Sequence, residues 1–190
     1  MTISVIKGSD NVNYNLRDDV HTWGGRNLML RTDYGTFGNS SHFNGSGMTF
    51  AGDRVTVPYA KEIYHKDYVK NVIGLIPNGS IVTCSIYVYQ ATATGGNHRV
   101  YMSPITNTSG SVNWVNIKSI PSGTTGLVVW QYTLTADAYG FVLDLDTRND
   151  TSGQIIFGRA KIELGNKFTD WSPAPEDFAT VVGTELNLLS

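Results

Sequence analysis

Short apolar and polar residues alternate along most of this chain, and clusters of Gly, Asn, Ser and Pro separate the alternating runs. In Ile81–Ala91 one side of the alternation carries Val82, Cys84, Ile86 and Val88. The other carries Thr83, Ser85, Tyr87 and Tyr89. A period of two sends successive side chains to opposite faces of a strand. The first set therefore predicts core and the second an outer face. The same reasoning turns Val128, Trp130, Tyr132 and Leu134 inward, with Gln131 and Thr133 opposite. It turns Phe141, Leu143 and Leu145 inward and Asp144 and Asp146 outward. In Gln154–Leu164 it buries Gly158, Ala160, Ile162 and Leu164 and exposes Phe157, Arg159, Lys161 and Glu163.

Ten candidate strands follow: Asn27–Tyr34, Met48–Phe50, Arg54–Tyr59, Val69–Ile76, Ile81–Ala91, Arg99–Thr106, Val112–Ile120, Gly126–Thr135, Tyr139–Asp146 and Gln154–Leu164. Turn residues lie between them, as in Pro77-Asn78-Gly79 and Gly95-Gly96-Asn97. Strands at this spacing without a long helical period predict an all-β sandwich or barrel. Residues 1–26 read as a leader or linker, residues 27–173 as the domain, and residues 174–190 as a linker, a short helix or the start of another module.

Composition narrows the picture. The chain has 190 residues, enough to bury a core without disulfide or metal. Charged residues make up 16%, below the usual value of about 25%. The net charge of −2 excludes the basic footprint that nucleic acid demands. No apolar run is long enough to span a membrane, and no signal peptide is expected. The single cysteine, Cys84, lies in an apolar run and reads as a buried hydrophobe.

Two motifs bracket the strand-rich region. The front one is Gly25-Arg26-Asn27-Leu28-Met29-Leu30. The rear one runs from Lys161-Ile-Glu-Leu-Gly through Thr169-Asp-Trp-Ser-Pro-Ala-Pro-Glu-Asp177. The pair resembles the carbohydrate-binding-module-like domains in tail, baseplate and tail-fibre proteins of phages that infect Gram-positive, especially lactic acid, bacteria. The resemblance implies a two-sheet antiparallel jelly-roll β-sandwich in which Trp171 plugs the exit segment onto the domain. It also implies binding to a host cell-surface saccharide, assembly with other baseplate or tail proteins, a place in the virion tail, and a homo-oligomer. The protein would be made in the host cytoplasm. The chain carries no coiled-coil heptad.

Sugar recognition needs aromatic rings to stack on pyranose faces and planar polar groups to bond neighbouring hydroxyls. Tyr87, Tyr89, Arg99, Tyr101, Trp114, Gln131 and Asp144 are the candidate ligand-binding residues. The alternative is that these aromatics stabilise the sheet as cross-strand pairs or contact another subunit, which makes the chain a purely structural baseplate domain. A hydrolase is the least supported class. Asp144 and Asp146 lie about 6.5–7 Å apart along a strand, near an inverting-glycosidase spacing, but nothing else of that chemistry accompanies them. No catalytic residue is therefore assigned. Asp144 to Asp150 begins like a calcium loop, but Arg148 takes a ligand position, no Gly follows it and no Glu closes it. No cofactor is expected, with a structural calcium as the disfavoured alternative. The four histidines lack metal spacing and read as surface or loop residues, His98 included, with a place at the edge of the sugar site as its disfavoured alternative.

Overall fold

The computed structural model describes residues 5–7, 13–15, 25–29, 43–65, 75–96, 98–172 and 174. Strands β1 (Val5–Lys7) and β2 (Asn13–Asn15) pair antiparallel as a small separate ladder. The remaining strands are β3 (Phe43–Asn44), β4 (Thr49–Ala51), β5 (Arg54–Pro58), β6 (Glu62–His65), β7 (Ile81–Ala91), β8 (Arg99–Ile105), β9 (Ile117–Ser119), β10 (Gly126–Thr133), β11 (Gly140–Asp146) and β12 (Gln154–Leu164). They form two five-stranded sheets, ordered β10-β7-β12-β5-β4 and β3-β6-β11-β8-β9. Every pairing is antiparallel. From β5 onward the chain crosses between the sheets at every connection but one, the β8–β9 pair, so most sequence neighbours become members of opposite layers. The fold is the two-sheet jelly-roll sandwich that the strand pattern and the resemblance predict, with no helix among the described residues.

The core lies between the sheets. Val82, Cys84, Ile86 and Val88 of β7 meet Val100 and Met102 of β8 and Leu143 and Leu145 of β11 in one fully buried cluster. Cys84 sits in it as predicted, and burial pushes its thiol up to about 12. Strand β10 keeps the predicted alternation, with Val128, Trp130 and Tyr132 packed on the core and Leu127 and Val129 exposed.

Strand β12 departs from simple alternation. Two register shifts interrupt its pairing with β7, at Ile156/Phe157 and between Gly158 and Lys161. Arg159 takes a left-handed φ of 51° there. A bulge inserts one residue and reverses the phase of the faces. Phe157 pairs with Val88 and Val55 and is fully buried, contrary to its predicted outward position. Beyond the bulge, Ala160 and Ile162 return to the core as predicted.

Lys161 and Glu163 were also expected to face solvent. They do point away from the core, but the chain leaving β12 folds back over them and buries both completely. Their ion pair measures 3.3 Å. Lys161 Nζ donates to Thr169 Oγ1 (2.6 Å), Thr169 O and Asp170 O. Glu163 accepts from the Thr169 amide and hydroxyl. Trp171 Nε1 donates to Ala160 O, the plug that the resemblance implies. Asn27 staples the front motif to the same place. Its amide donates to Ala160 O and Ser172 O, and its Oδ1 accepts from the Met29 and Ile162 amides. The two bracket motifs are thus one hydrogen-bonded closure.

Other boundaries moved. Strands β3 and β6 were not foreseen. The predicted strand Val112–Ile120 shrinks to β9, and Asn27–Met29 is irregular. Of the predicted strand at 69–76, residues 69–74 lie outside the described residues, and Ile76 makes only an isolated bridge to Ala138. Most of the leader and nearly all of 174–190, including the expected helix, also lie outside them.

Candidate functional site

The outer face of the β3-β6-β11-β8-β9 sheet carries two cross-strand rows. Asp144 of β11 stands opposite Tyr64 of β6 on one side and Tyr101 of β8 on the other. One rung along, Asp146 stands opposite Glu62 and Arg99. Ile63, Leu145 and Val100, between these residues in sequence, point into the core and fix which face the polar rows occupy.

Loops complete the site. The turn before β6 is pinned by Thr147: its hydroxyl donates to Pro58 O or Lys61 O and accepts from the Lys61 amide. The same turn holds Ala60 at a φ of 56°. The segment between β8 and β9 folds over the outer face. Asn113 N–H donates to Pro104 O, and the Ser103 hydroxyl donates to Val115 O. Asn116, in the left-handed region at 61°, anchors its end by donating to Met102 O and accepting from Trp130 Nε1. Trp114 is thereby presented half exposed, edge-on to Tyr101 at 6.3 Å and 89°.

Glu62, Tyr64, Tyr101, Trp114, Asp144 and Arg148 line an open cavity of about 370 Å³. That size suits one or two small-ligand units. Arg148 is held from three directions. Its Nε and one terminal nitrogen donate to the two oxygens of Asp146, at 3.0 Å each, and the other terminal nitrogen meets Glu62 at 3.0 Å. Burial alone would raise the Asp146 carboxyl, but its bonds from Arg148 outweigh that and hold it below its ordinary range.

Asp144 behaves oppositely. It was expected on a solvated face, yet it is only 3% exposed between its cross-strand neighbours Tyr64 and Tyr101. Its Oδ1 has no hydrogen-bond partner. Burial, then the charges of Glu62 and Asp146, push its carboxyl up to about 8; Arg148 opposes them, and a hydrogen bond with Glu62 adds to the rise.

The seven predicted residues divide between two faces. Tyr101, Trp114 and Asp144 line the cavity, and Arg99 stands one rung away with its guanidinium 6.0 Å from the Tyr101 ring. Tyr87, Tyr89 and Gln131 belong to the other sheet. There Tyr87 and Tyr89 contact each other at 4.8 Å, Arg54 lies 4.0 Å over Tyr89, and the Tyr89 hydroxyl donates to Asp53, which also accepts from Arg159. Gln131 donates to Asn166 O. The bonds of Tyr89 and Arg159 to Asp53 tie β7, β12 and the β4–β5 turn of that sheet together.

Three cavity residues were missed: Glu62, Tyr64 and Arg148. The alternation Glu62-Ile63-Tyr64 was the available signal, but it is too short to stand out beside Pro58 and Lys61. Arg148 entered only as an obstacle to calcium. Asp146 and Asp150, which a calcium loop would use, are engaged by Arg148 and His98, and no group of three metal-binding side chains gathers among the described residues. His98 lies in the loop before β8, as expected, but it is buried there, 2.9 Å from Asp150, and not at the surface.

No family model matches the chain, and no curated protein matches it. Solved structures do. The enzymatically active domain of bacteriophage CBA120 tailspike protein 4 aligns with a TM-score of 0.50 at 13% identity, over 73% of this chain and 21% of that one. The arabinose-bound α-L-arabinofuranosidase MgGH51 aligns with a TM-score of 0.51 at 11% identity, over 78% of this chain and 28% of that one. The tripod of the bacteriophage Tuc2009 baseplate aligns at 0.48 and 13% identity, over 82% and 60%. This chain therefore spans about a fifth to under a third of the length of the first two. The likeness of the first two, at this identity, shows a shared fold alone.

Proposed function

We propose that this chain is a non-catalytic saccharide-binding module of a bacteriophage tail or baseplate protein and that it aids adhesion to host cell-wall polysaccharide. The observation that carries the binding half is the cavity on the β3-β6-β11-β8-β9 face. It combines three aromatic rings with planar polar groups at a size that fits sugar units. The phage half rests on the paired bracket motifs, which resemble those of tail and baseplate domains in phages of Gram-positive, lactic acid bacteria. The same sandwich in a phage tailspike supports it. A shallow open site gives weak single-site affinity, so many copies on one tail would supply useful avidity.

The cavity also bears on the structural alternative. Aromatics reserved for a subunit contact are expected on a flat patch, whereas Tyr64, Tyr101 and Trp114 border an opening. Hydrolysis is a poor fit for the carboxyl pair. Of Asp144 and Asp146, the pair near an inverting spacing, Asp146 has both oxygens bonded to Arg148 and is not free to activate water.

The test is labelling of host cells by the chain fused to a fluorescent reporter, beside Tyr101→Ala/Trp114→Ala. Decoration by the wild type and its loss in a folded double variant is the expected result. Absence of decoration by a multimerised wild type returns the structural reading to first place. Release of reducing ends from wall material overturns the non-catalytic assignment.

A further inference from the structure

The charges around the cavity balance only while Asp144 keeps its proton, because Glu62 and Asp146 are matched by Arg148 and Arg99 and no cation is left for a third carboxylate. Glu62 faces Asp144 from β6, Asp146 and Arg148 face it from β11 and the turn after it, and Arg99 faces from β8. Arg148 is already bonded to Asp146 and Glu62. Two of these groups keep a buried atom without a partner: Arg99 Nε, which lies outside the cavity lining, and Oδ1 of Asp144, which lines the cavity and is only 3% exposed. An orphaned buried acceptor is costly until a donor reaches it.

Three kinds of ligand group can be weighed against this arrangement. A neutral hydroxyl offers one donor and brings no charge that would let Asp144 ionise. An anionic group would meet Glu62 and Asp144, with the Arg148 donors engaged elsewhere. A primary ammonium offers three donors and is attracted to the faces of Tyr and Trp. It also lets Asp144 ionise beside it. Tyr64 and Tyr101 flank Asp144 in register, and Trp114 stands beyond Tyr101.

We infer that the saccharide taken by this pocket carries a free, protonated amino group, seated against Tyr64, Tyr101 and Trp114 and donating to Asp144. This inference rests on the saccharide-binding reading above. It brings a proton balance with it. The free site keeps Asp144 protonated below about pH 8. An arriving ammonium favours the carboxylate, so the Asp144 proton leaves to solvent as the ion pair forms.

The probe is soluble wall polysaccharide from cells that the reporter fusion labels, before and after N-acetylation, which turns amines into neutral amides. Binding is followed by calorimetry at pH 6.5 in two buffers of different ionisation enthalpy. The untreated polysaccharide is expected to bind about tenfold more tightly, with release of up to about one proton per site. In Asp144→Asn, checked for folding by circular dichroism, the preference and the proton release both disappear. Equal affinity before and after N-acetylation overturns the amine and leaves the saccharide reading standing. Absence of any labelled cell or bound polysaccharide overturns both.

Discussion

Replacing Asp144 with asparagine exchanges one oxygen for an NH₂ group and removes one titration. In the folded protein the carboxyl is pushed up to about 8, from an ordinary value of 3.8. A raised carboxyl means that the folded state binds more protons than the unfolded state between those values. Its stability is therefore fully present below about pH 4, falls as pH rises towards 8 and is level above it. The slope is about 1.4 kcal/mol per pH unit, so the whole window is worth on the order of 6 kcal/mol. Asparagine keeps a similar shape with a donor and an acceptor, and it does not titrate. The variant should match the wild type near pH 4 and exceed it by several kcal/mol at pH 9. Urea denaturation at pH 4, 6.5 and 9, with the m-value monitored, measures the difference. A gap below about 1 kcal/mol at pH 9 would refute the claim that the surroundings of Asp144 hold it neutral.

Lys161→Met leaves Glu163 fully buried without its cation and should cost about 3–5 kcal/mol; Lys161→Met/Glu163→Leu should recover most of that loss by chemical denaturation. Thr169→Val removes the hydroxyl that bonds both members of this pair and should cost about 1–3 kcal/mol in the same assay. Asn116→Ala orphans Trp130 Nε1 and Met102 O; it should cost a similar amount, about 1–3 kcal/mol, and weaken saccharide binding by loosening the segment that carries Trp114.

Much of the fold was legible because one side of each long strand must be apolar. Strands β7 and β12 were read to the residue, and the inward faces of β7, β10 and β11 follow from alternation alone. Failures occurred where something outside the strand decides burial. Phe157 turned inward because a bulge reversed the phase. Lys161 and Glu163 were buried by a returning segment whose reach no local pattern reports. The site was half legible for the same reason. Parity identified outward aromatics and amides, but it does not say which of two sheets carries them. Tyr87, Tyr89 and Gln131 were therefore grouped with Tyr101, Trp114 and Asp144, though they occupy opposite layers. Glu62 and Tyr64 come from a four-residue strand, too short to show a period.

The central claim is that the Tyr101–Trp114 face, not the Tyr87–Tyr89 face, binds saccharide. The most direct test is affinity electrophoresis of four proteins through gels containing host wall polysaccharide: wild type, Trp114→Ala, Tyr101→Ala/Trp114→Ala and Tyr87→Ala/Tyr89→Ala. Retardation is expected of the wild type and of Tyr87→Ala/Tyr89→Ala, with about a tenfold loss for Trp114→Ala and no retardation of Tyr101→Ala/Trp114→Ala. Retention by Tyr101→Ala/Trp114→Ala together with loss in Tyr87→Ala/Tyr89→Ala would contradict the claim and move the binding face to the other sheet.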